Sequence, residues 1–211
     1  GYWWLVSHVD EQIGEVMAAA HNLGMMDDTR ILYTSDHGEA AGNHGLLGKT
    51  TLYEHSLGVP LLISGPGIPA GRSIKEVVSH VDLYETILES TGCPTGTPDH
   101  FRFGNSLWPM IEDTPMDRIG FAEVHVKSTK NAAFMVRDGD MKLIYHVSAP
   151  SQLFDLGKDP LETNDLAQNP TYKETLEELQ RELRRIIDPD AANVRAKSDQ
   201  LAHAFKHGGP Q

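Results

Sequence analysis

Ile31-Leu32-Tyr33-Thr34-Ser35-Asp36-His37-Gly38-Glu39, followed by Gly42-Asn43-His44-Gly45-Leu46-Leu47-Gly48-Lys49, is the stretch on which the fold turns. An apolar, partly β-branched run stops at a cluster of Asp, His, Gly and Glu. The pattern predicts a short buried strand over 31–34 that delivers an adjacent carboxylate and imidazole to the lip of a sheet, where open α/β folds bind ligands. A carboxylate beside a neutral imidazole is a ligand set for a divalent metal, and the single lysine beyond it suits an anionic substrate. Gly38, Gly42, Gly45 and Gly48 mark the 36–51 loop as backbone bent closely around something.

Upstream, Leu5, Val9, Ile13, Val16, Met17 and Ala20 recur at helical spacing from about Tyr2 to Leu23, and Gly24 is a stop signal. Downstream, Val59-Pro60-Leu61-Leu62-Ile63-Ser64 reads as a second buried strand and 65–71 as a loop. Asp82 is placed to cap a helix carrying Leu83, Ile87 and Leu88 that ends at Gly92-Cys93-Pro94. Helix alternating with apolar strand predicts an α/β fold whose parallel sheet is flanked by helices.

Past about Pro98 the pattern changes. Short strand-like runs over 119–126, 132–136, 141–145 and 152–154, with Asp138-Gly139-Asp140 as a hairpin turn, predict an antiparallel sheet. An amphipathic helix follows over 172–187, closed by Asp188-Pro189, and 191–211 reads as a polar tail. The predicted organisation is therefore 1–110 as part of an α/β domain, 111–190 as a small sheet-and-helix subdomain, and 191–211 as the tail.

Bulk properties narrow the function classes. The chain has 211 residues, a formal net charge of −12, 39% hydrophobic and 23% charged residues. Such an acidic balance argues against a nucleic-acid partner or an anionic membrane surface. No apolar run reaches the length of a membrane span. Cys93 is the single cysteine, so neither a disulfide framework nor a cysteine-based zinc site is expected. The opening Gly1-Tyr2-Trp3-Trp4 runs straight into a helical pattern, as the interior of a longer protein would.

The candidate site residues follow from this chemistry. Asp36 and His37 are the candidate metal ligands, although an Asp that caps a turn beside a backbone-bonded His is the commoner meaning of such a pair. Glu39 is open between a ligand, a partner orienting His37 and a solvated carboxylate. Lys49 is the candidate catalytic and substrate-binding cation, able to stabilise charge on a leaving oxygen. His44 is a second catalytic candidate in the same loop, weighed against the structural role of most loop histidines. Glu54 reads as a loop anchor. Two adjacent ligands cannot fill a coordination sphere, and no nucleophile is evident.

Three linked motifs, Ser35-Asp36-His37-Gly38-Glu39, Gly45-Leu46-Leu47-Gly48-Lys49 and Val59-Pro60-Leu61-Leu62-Ile63-Ser64-Gly65-Pro66-Gly67, resemble in order and spacing the C-terminal portion of the type I sulfatases of the alkaline phosphatase superfamily. Arg137–Tyr145 and Leu153–Leu166 are similar to that family's closing β-sheet subdomain. The resemblance implies an alkaline-phosphatase-like fold and hydrolysis of a small-molecule sulfate ester. Asp36 and His37 would bind one divalent metal, calcium, with manganese or zinc in some relatives, and Lys49 would contact the sulfate. It also implies a formylglycine nucleophile made within a Cys/Ser-x-Pro-x-Arg motif. Cys93, in Gly92-Cys93-Pro94-Thr95, lacks that pattern, so the nucleophile is expected outside this chain, in an N-terminal half with which the chain pairs, or else the chain self-associates. A phosphonate monoester or phosphodiester hydrolase of the same superfamily, or a non-catalytic fragment retaining the fold, are the alternative expectations.

Overall fold

The computed structural model describes residues 1–93, 104–126, 129–206 and 208. The helix expected to end at Gly92-Cys93-Pro94 stops at Ser90, and Pro94 of that signal lies outside these residues. Two compact units are formed, Gly1–Asp36 with Pro60–Ser73, and His37–Val59 with Ile74–Gln211.

The first unit contains helix α1 (Tyr2–Asn22) and strands β1 (Ile31–Thr34) and β2 (Leu61–Ser64). Both strands fall within the predicted segments, but neither is buried as expected, since Tyr33 and Leu62 are exposed and no residue of either strand is buried in this structure. Their pairing corrects the expected parallel arrangement, because Ile31 lies opposite Ser64 and Thr34 opposite Leu61 in an antiparallel register. Parallel neighbours need a crossover, usually a helix laid over the sheet. Here the connection holds only a 3₁₀ turn and the one-turn helix α2 (Glu54–Leu57). α1 has no buried residue, and Trp3, Trp4, Val16 and Leu62 are all exposed.

In the second unit, α2 is followed by α3 (Val81–Ser90) and α4 (Trp108–Ile111). Asp82 is not the expected cap, since α3 begins at Val81 with His80 at its N-cap and no side-chain cap; fully buried in the first turn, it accepts from the Ser79 N–H at 2.7 Å, from the Asn105 N–H at 3.0 Å and from the Arg118 guanidinium. Four strands then form an antiparallel meander in chain order, β3 (Ile119–Val124), β4 (Ala133–Asp138), β5 (Met141–His146) and β6 (Gln152–Asp155). Gly139, at φ 53°, makes the β4–β5 turn. Helix α5 (Lys173–Ile186) carries Leu179 and Leu183 onto one face of this sheet.

Strand alternation gives the sheet two packed faces. Phe134, Val136, Leu143 and Leu153 point towards α5. Ala133, Met135, Ile144 and Phe154 point the other way and are covered by Leu52, with Tyr53 and Leu57 beside it. The loop that leaves Lys49 is thus fastened onto the sheet by an apolar anchor. The segment expected to be a polar tail is instead helix α6 (Pro189–Lys206). Asp188 accepts from the Asp190 and Ala191 N–H groups, and Pro189 sits at the first helical position, where its missing N–H costs nothing. α6 is tied down by Asn193, which accepts from the Ala132 N–H at 2.8 Å, and by Lys197, which donates to the Val126 and Thr129 carbonyls.

Candidate active site

His37 follows Asp36, which lies two residues past the end of β1, where Ser35 Oγ donates to Asp36 Oδ1 at 3.4 Å. His37 Nδ1 lies 2.8 Å from the Gly38 carbonyl. A carbonyl only accepts, so Nδ1 carries the proton and Nε2 keeps its lone pair. That lone pair receives a hydrogen bond from Lys49 Nζ, twelve residues further on. The structure therefore unites the predicted ligand His37 with the predicted substrate cation Lys49.

The loop between them is held by its own polar groups. Glu39 Oε1 accepts from the Gly48 N–H at 2.7 Å, next to Lys49, and from the Ala41 N–H at 3.4 Å. This loop-bracing is a role outside the three left open for Glu39. Ala40 N–H donates to the Gly48 carbonyl at 2.8 Å, and Gly48 adopts φ 84°, which a side chain would strain. Behind His37, the Gly38 N–H donates to the Ser56 carbonyl of α2 at 2.9 Å. A Cβ on Gly38 would lie 2.0 Å from the His55 carbonyl oxygen, so only glycine permits this approach.

His44 has a different setting. It holds a left-handed backbone at φ 54°, stacks on Tyr53 with ring centroids 4.2 Å apart, and donates Nε2–H to the Leu161 carbonyl at 3.0 Å. These contacts brace the loop against the turn after β6. His55 lies 5.6 Å from the His44 ring and bonds Thr51 Oγ1 at 3.1 Å. Burial, then the nearby His44, pushes the His55 imidazole below its ordinary value.

Glu54 anchors the loop as expected. Its Oε1 lies 2.7 Å from Lys142 Nζ and its Oε2 3.4 Å from Arg137. Lys142 is fully buried and also pairs with Glu162 at 2.7 Å, while Glu162 Oε2 accepts the Glu54 N–H at 2.6 Å. Lys142 and Glu162 escaped the motif reading. The available signal was strand parity, since Lys142 shares its face of β5 with the buried Ile144.

The donor chemistry fits a divalent metal in part. A carboxylate such as Asp36 and an imidazole such as His37 are donor types that a divalent metal takes, but His37 Nε2 is engaged by Lys49 and no group of three His, Cys, Asp or Glu is arranged to hold an ion among the described residues. Cys93 is exposed and free, and no helix among the described residues is long and apolar enough to cross a membrane.

The sulfatase family model matches residues 1–93. Residues 1–93 are sulfatase-family sequence. The chain is 34% identical over 197 residues to arylsulfatase K of Danio rerio, covering 89% of this chain and 36% of that protein. It is 35% identical over 169 residues to choline-sulfatase of Rhizobium meliloti (strain 1021), covering 80% and 33%. A solved structure of a protein in complex with its substrate D-glucosamine-2-N,6-O-disulfate superposes with a TM-score of 0.79 at 29% identity, covering 88% of this chain and 40% of that one. The chain thus spans about a third of the length of the curated relatives it matches, and the fold is that of its α/β, alkaline-phosphatase-like neighbours.

Proposed function

We propose that this chain supplies the lysine-bearing part of a sulfatase active site whose nucleophile, a formylglycine, belongs to another part of a longer protein. The observation that carries the reading is the hydrogen bond from Lys49 Nζ to a His37 imidazole whose Nδ1 proton is committed to a carbonyl. In this reading Lys49 Nζ leaves His37 Nε2 when metal and ester are present, so that Asp36 and His37 would hold a divalent metal, calcium by family habit, and Lys49 would bind the ester's sulfate group. A bound metal would supply Lewis-acid polarisation of a sulfuryl oxygen.

The chain's own residues have definable tasks. The Gly38 carbonyl fixes the His37 tautomer, so Nε2 is always the atom presented. The Lys49 ammonium is a compact charge with three donors, suited to a sulfuryl oxygen and to the charge that builds on the leaving oxygen. Glu39 and Gly48 keep the lysine's backbone in place, and His44 serves as a brace rather than in proton transfer. Similarity to an arylsulfatase and a choline-sulfatase supports sulfate over phosphonate as the group transferred to water.

The exposed apolar side chains of α1 and β2 support pairing with further sulfatase sequence, or self-association. The decisive experiment is hydrolysis of 4-nitrophenyl sulfate by the longer protein and by the 211-residue chain. The longer protein is expected to release sulfate and to lose that activity with Lys49→Ala. The isolated chain is expected to be inactive. Turnover by the isolated chain that Lys49→Ala abolishes would overturn the division of the site.

A further inference from the structure

Glu162, two residues after Pro160, sits at φ 55° although it is not glycine, and its side chain is only 1% exposed. A left-handed backbone at a long side chain persists only where surrounding contacts over-determine it. Those contacts are visible. Asp159 accepts from the Asn164 N–H at 2.7 Å and from Thr163 Oγ1 at 3.0 Å, and Asp165 accepts from the Leu153 N–H at 3.0 Å. The turn is constructed so that a carboxylate enters the sheet face beside Lys142.

Lys142 is the centre of a compact charge cluster. Its ammonium, with no exposed surface, bridges Glu162 and Glu54, and Arg137 reaches the second oxygen of Glu54. Arg137 and Lys142 stand directly opposite each other on β4 and β5, a like-charge pair that would repel without the carboxylates. Two cations and two carboxylates leave the cluster neutral. Glu54 is the member that belongs to the active-site loop.

From Glu54 the connection runs through α2. The Ser56 carbonyl accepts the Gly38 N–H, and Gly38 carries the carbonyl that fixes His37. Thr51 Oγ1 bonds Ser56 Oγ at 2.8 Å, which secures the segment leaving Lys49 to the same helix. We propose that the Lys142–Glu54–Glu162 cluster is a positioning device that sets the His37–Lys49 arrangement from the β5–β6 sheet. Its catalytic meaning rests on the reading of that pair as part of a sulfatase site, whereas its geometric content does not.

Glu54 is the residue to change, because Lys142 keeps Glu162 when Glu54 is lost and the buried lysine is not stranded. Amide hydrogen exchange of the 211-residue chain is followed by NMR at fixed pH. With Glu54→Ala, the Gly38 and Gly48 amides are expected to exchange about tenfold faster or more, the size of a lost charge-assisted hydrogen bond. The Val136 and Leu143 amides at the centre of the sheet are expected to stay within about twofold. Glu54→Gln, which keeps the shape and one acceptor, is expected to fall between. The paired variant Lys142→Met/Glu162→Gln removes both buried charges and is expected to repeat the Glu54→Ala pattern.

Unchanged Gly38 and Gly48 exchange overturns the proposal. So does equal acceleration at all four amides, or loss of β4–β5 protection in both the Glu54→Ala and paired variants. The cluster would then hold the sheet together and nothing more. None of these readouts involves turnover, so sulfate release lost through Lys49→Ala remains an independent test of the site.

Discussion

Replacing Leu52 by alanine tests whether the loop that carries Lys49 is fastened to the sheet in solution. Leu52 is 4% exposed and lies among Met135, Ile144, Phe154 and Leu156. Truncation removes about three buried carbons, worth about 0.8 kcal/mol each in transfer, or roughly 2.4 kcal/mol. The unfilled space adds to this. Because a loop can settle inwards more easily than a helix in a core, the expected total is about 3 kcal/mol, in the lower part of the range of about 2–5 for such changes. With a urea slope of about 2 kcal/mol/M, the midpoint should fall by about 1.5 M without change of slope. The assay is urea unfolding of the second unit, followed by the near-UV signal of Trp108. Leu47→Ala in the same loop is the control. Leu47 is 86% exposed, so its loss should stay within about 0.5 kcal/mol. A Leu52→Ala cost below about 1 kcal/mol, or equal costs for the two variants, would refute the anchoring of the loop on the sheet.

Three further outcomes follow from the same contacts. The His55 imidazole is pushed below its ordinary 6.5 by burial and by His44, so the unfolded chain binds its proton more readily. Stability from this group is therefore present above about 6.5 and lost as pH falls through the lower folded value; urea midpoints between pH 5 and 7.5 should show it, and His55→Gln should flatten the slope. The Asp159 carboxyl is held below its usual range first by the Asn164 N–H, then by the Thr163 N–H. Its contribution is complete above the unfolded carboxylate value and disappears on acidification below it, so Asp159→Asn should reduce stability at neutral pH and narrow the gap to wild type in an acid titration. Arg118→Met strips the buried Asp82 of its only ion pair among the described residues while leaving the Ser79 and Asn105 donors, so a loss of about 3 kcal/mol is expected by thermal unfolding. A loss below about 1 kcal/mol would mean that the two backbone donors satisfy Asp82 alone.

What the sequence disclosed, and what it withheld, divides along the range of the interactions. The strands 31–34 and 61–64, the meander with its Asp138-Gly139-Asp140 turn, and the Leu176-Leu179-Leu183 stripe of α5 are local patterns of period two or near 3.6, and each appears where predicted. The direction of β1 against β2 is set by how distant segments meet, and no property of Val59–Ser64 distinguishes parallel from antiparallel. Helix α6 was hidden by an ambiguity in Asp188-Pro189, which stops one helix and starts the next. At the candidate site, a strand end followed by glycines singles out Asp36-His37 and Lys49, and the structure places Lys49 against His37. The Glu162–Lys142–Glu54 link was not, since charged residues in a turn, a strand and a loop show no shared pattern until the chain brings them together.

Register is what makes the closing sheet more than an appendage. Lys142 and Ile144 face the Leu52 loop, whereas Leu143 between them faces α5. A slip of one residue in β5 would exchange these faces, placing Leu143 against the Glu54 carboxylate and the Lys142 ammonium against Leu179 and Leu183. Both outcomes are costly, since one strands a partly buried carboxylate and the other buries an unpaired cation in an apolar core. The charge that fastens the loop therefore also forbids the wrong register of the strand that carries it. Register and loop attachment share one residue, so a chain with β5 mispaired would also release Glu54, and with it the α2 carbonyl that holds Gly38 beside His37.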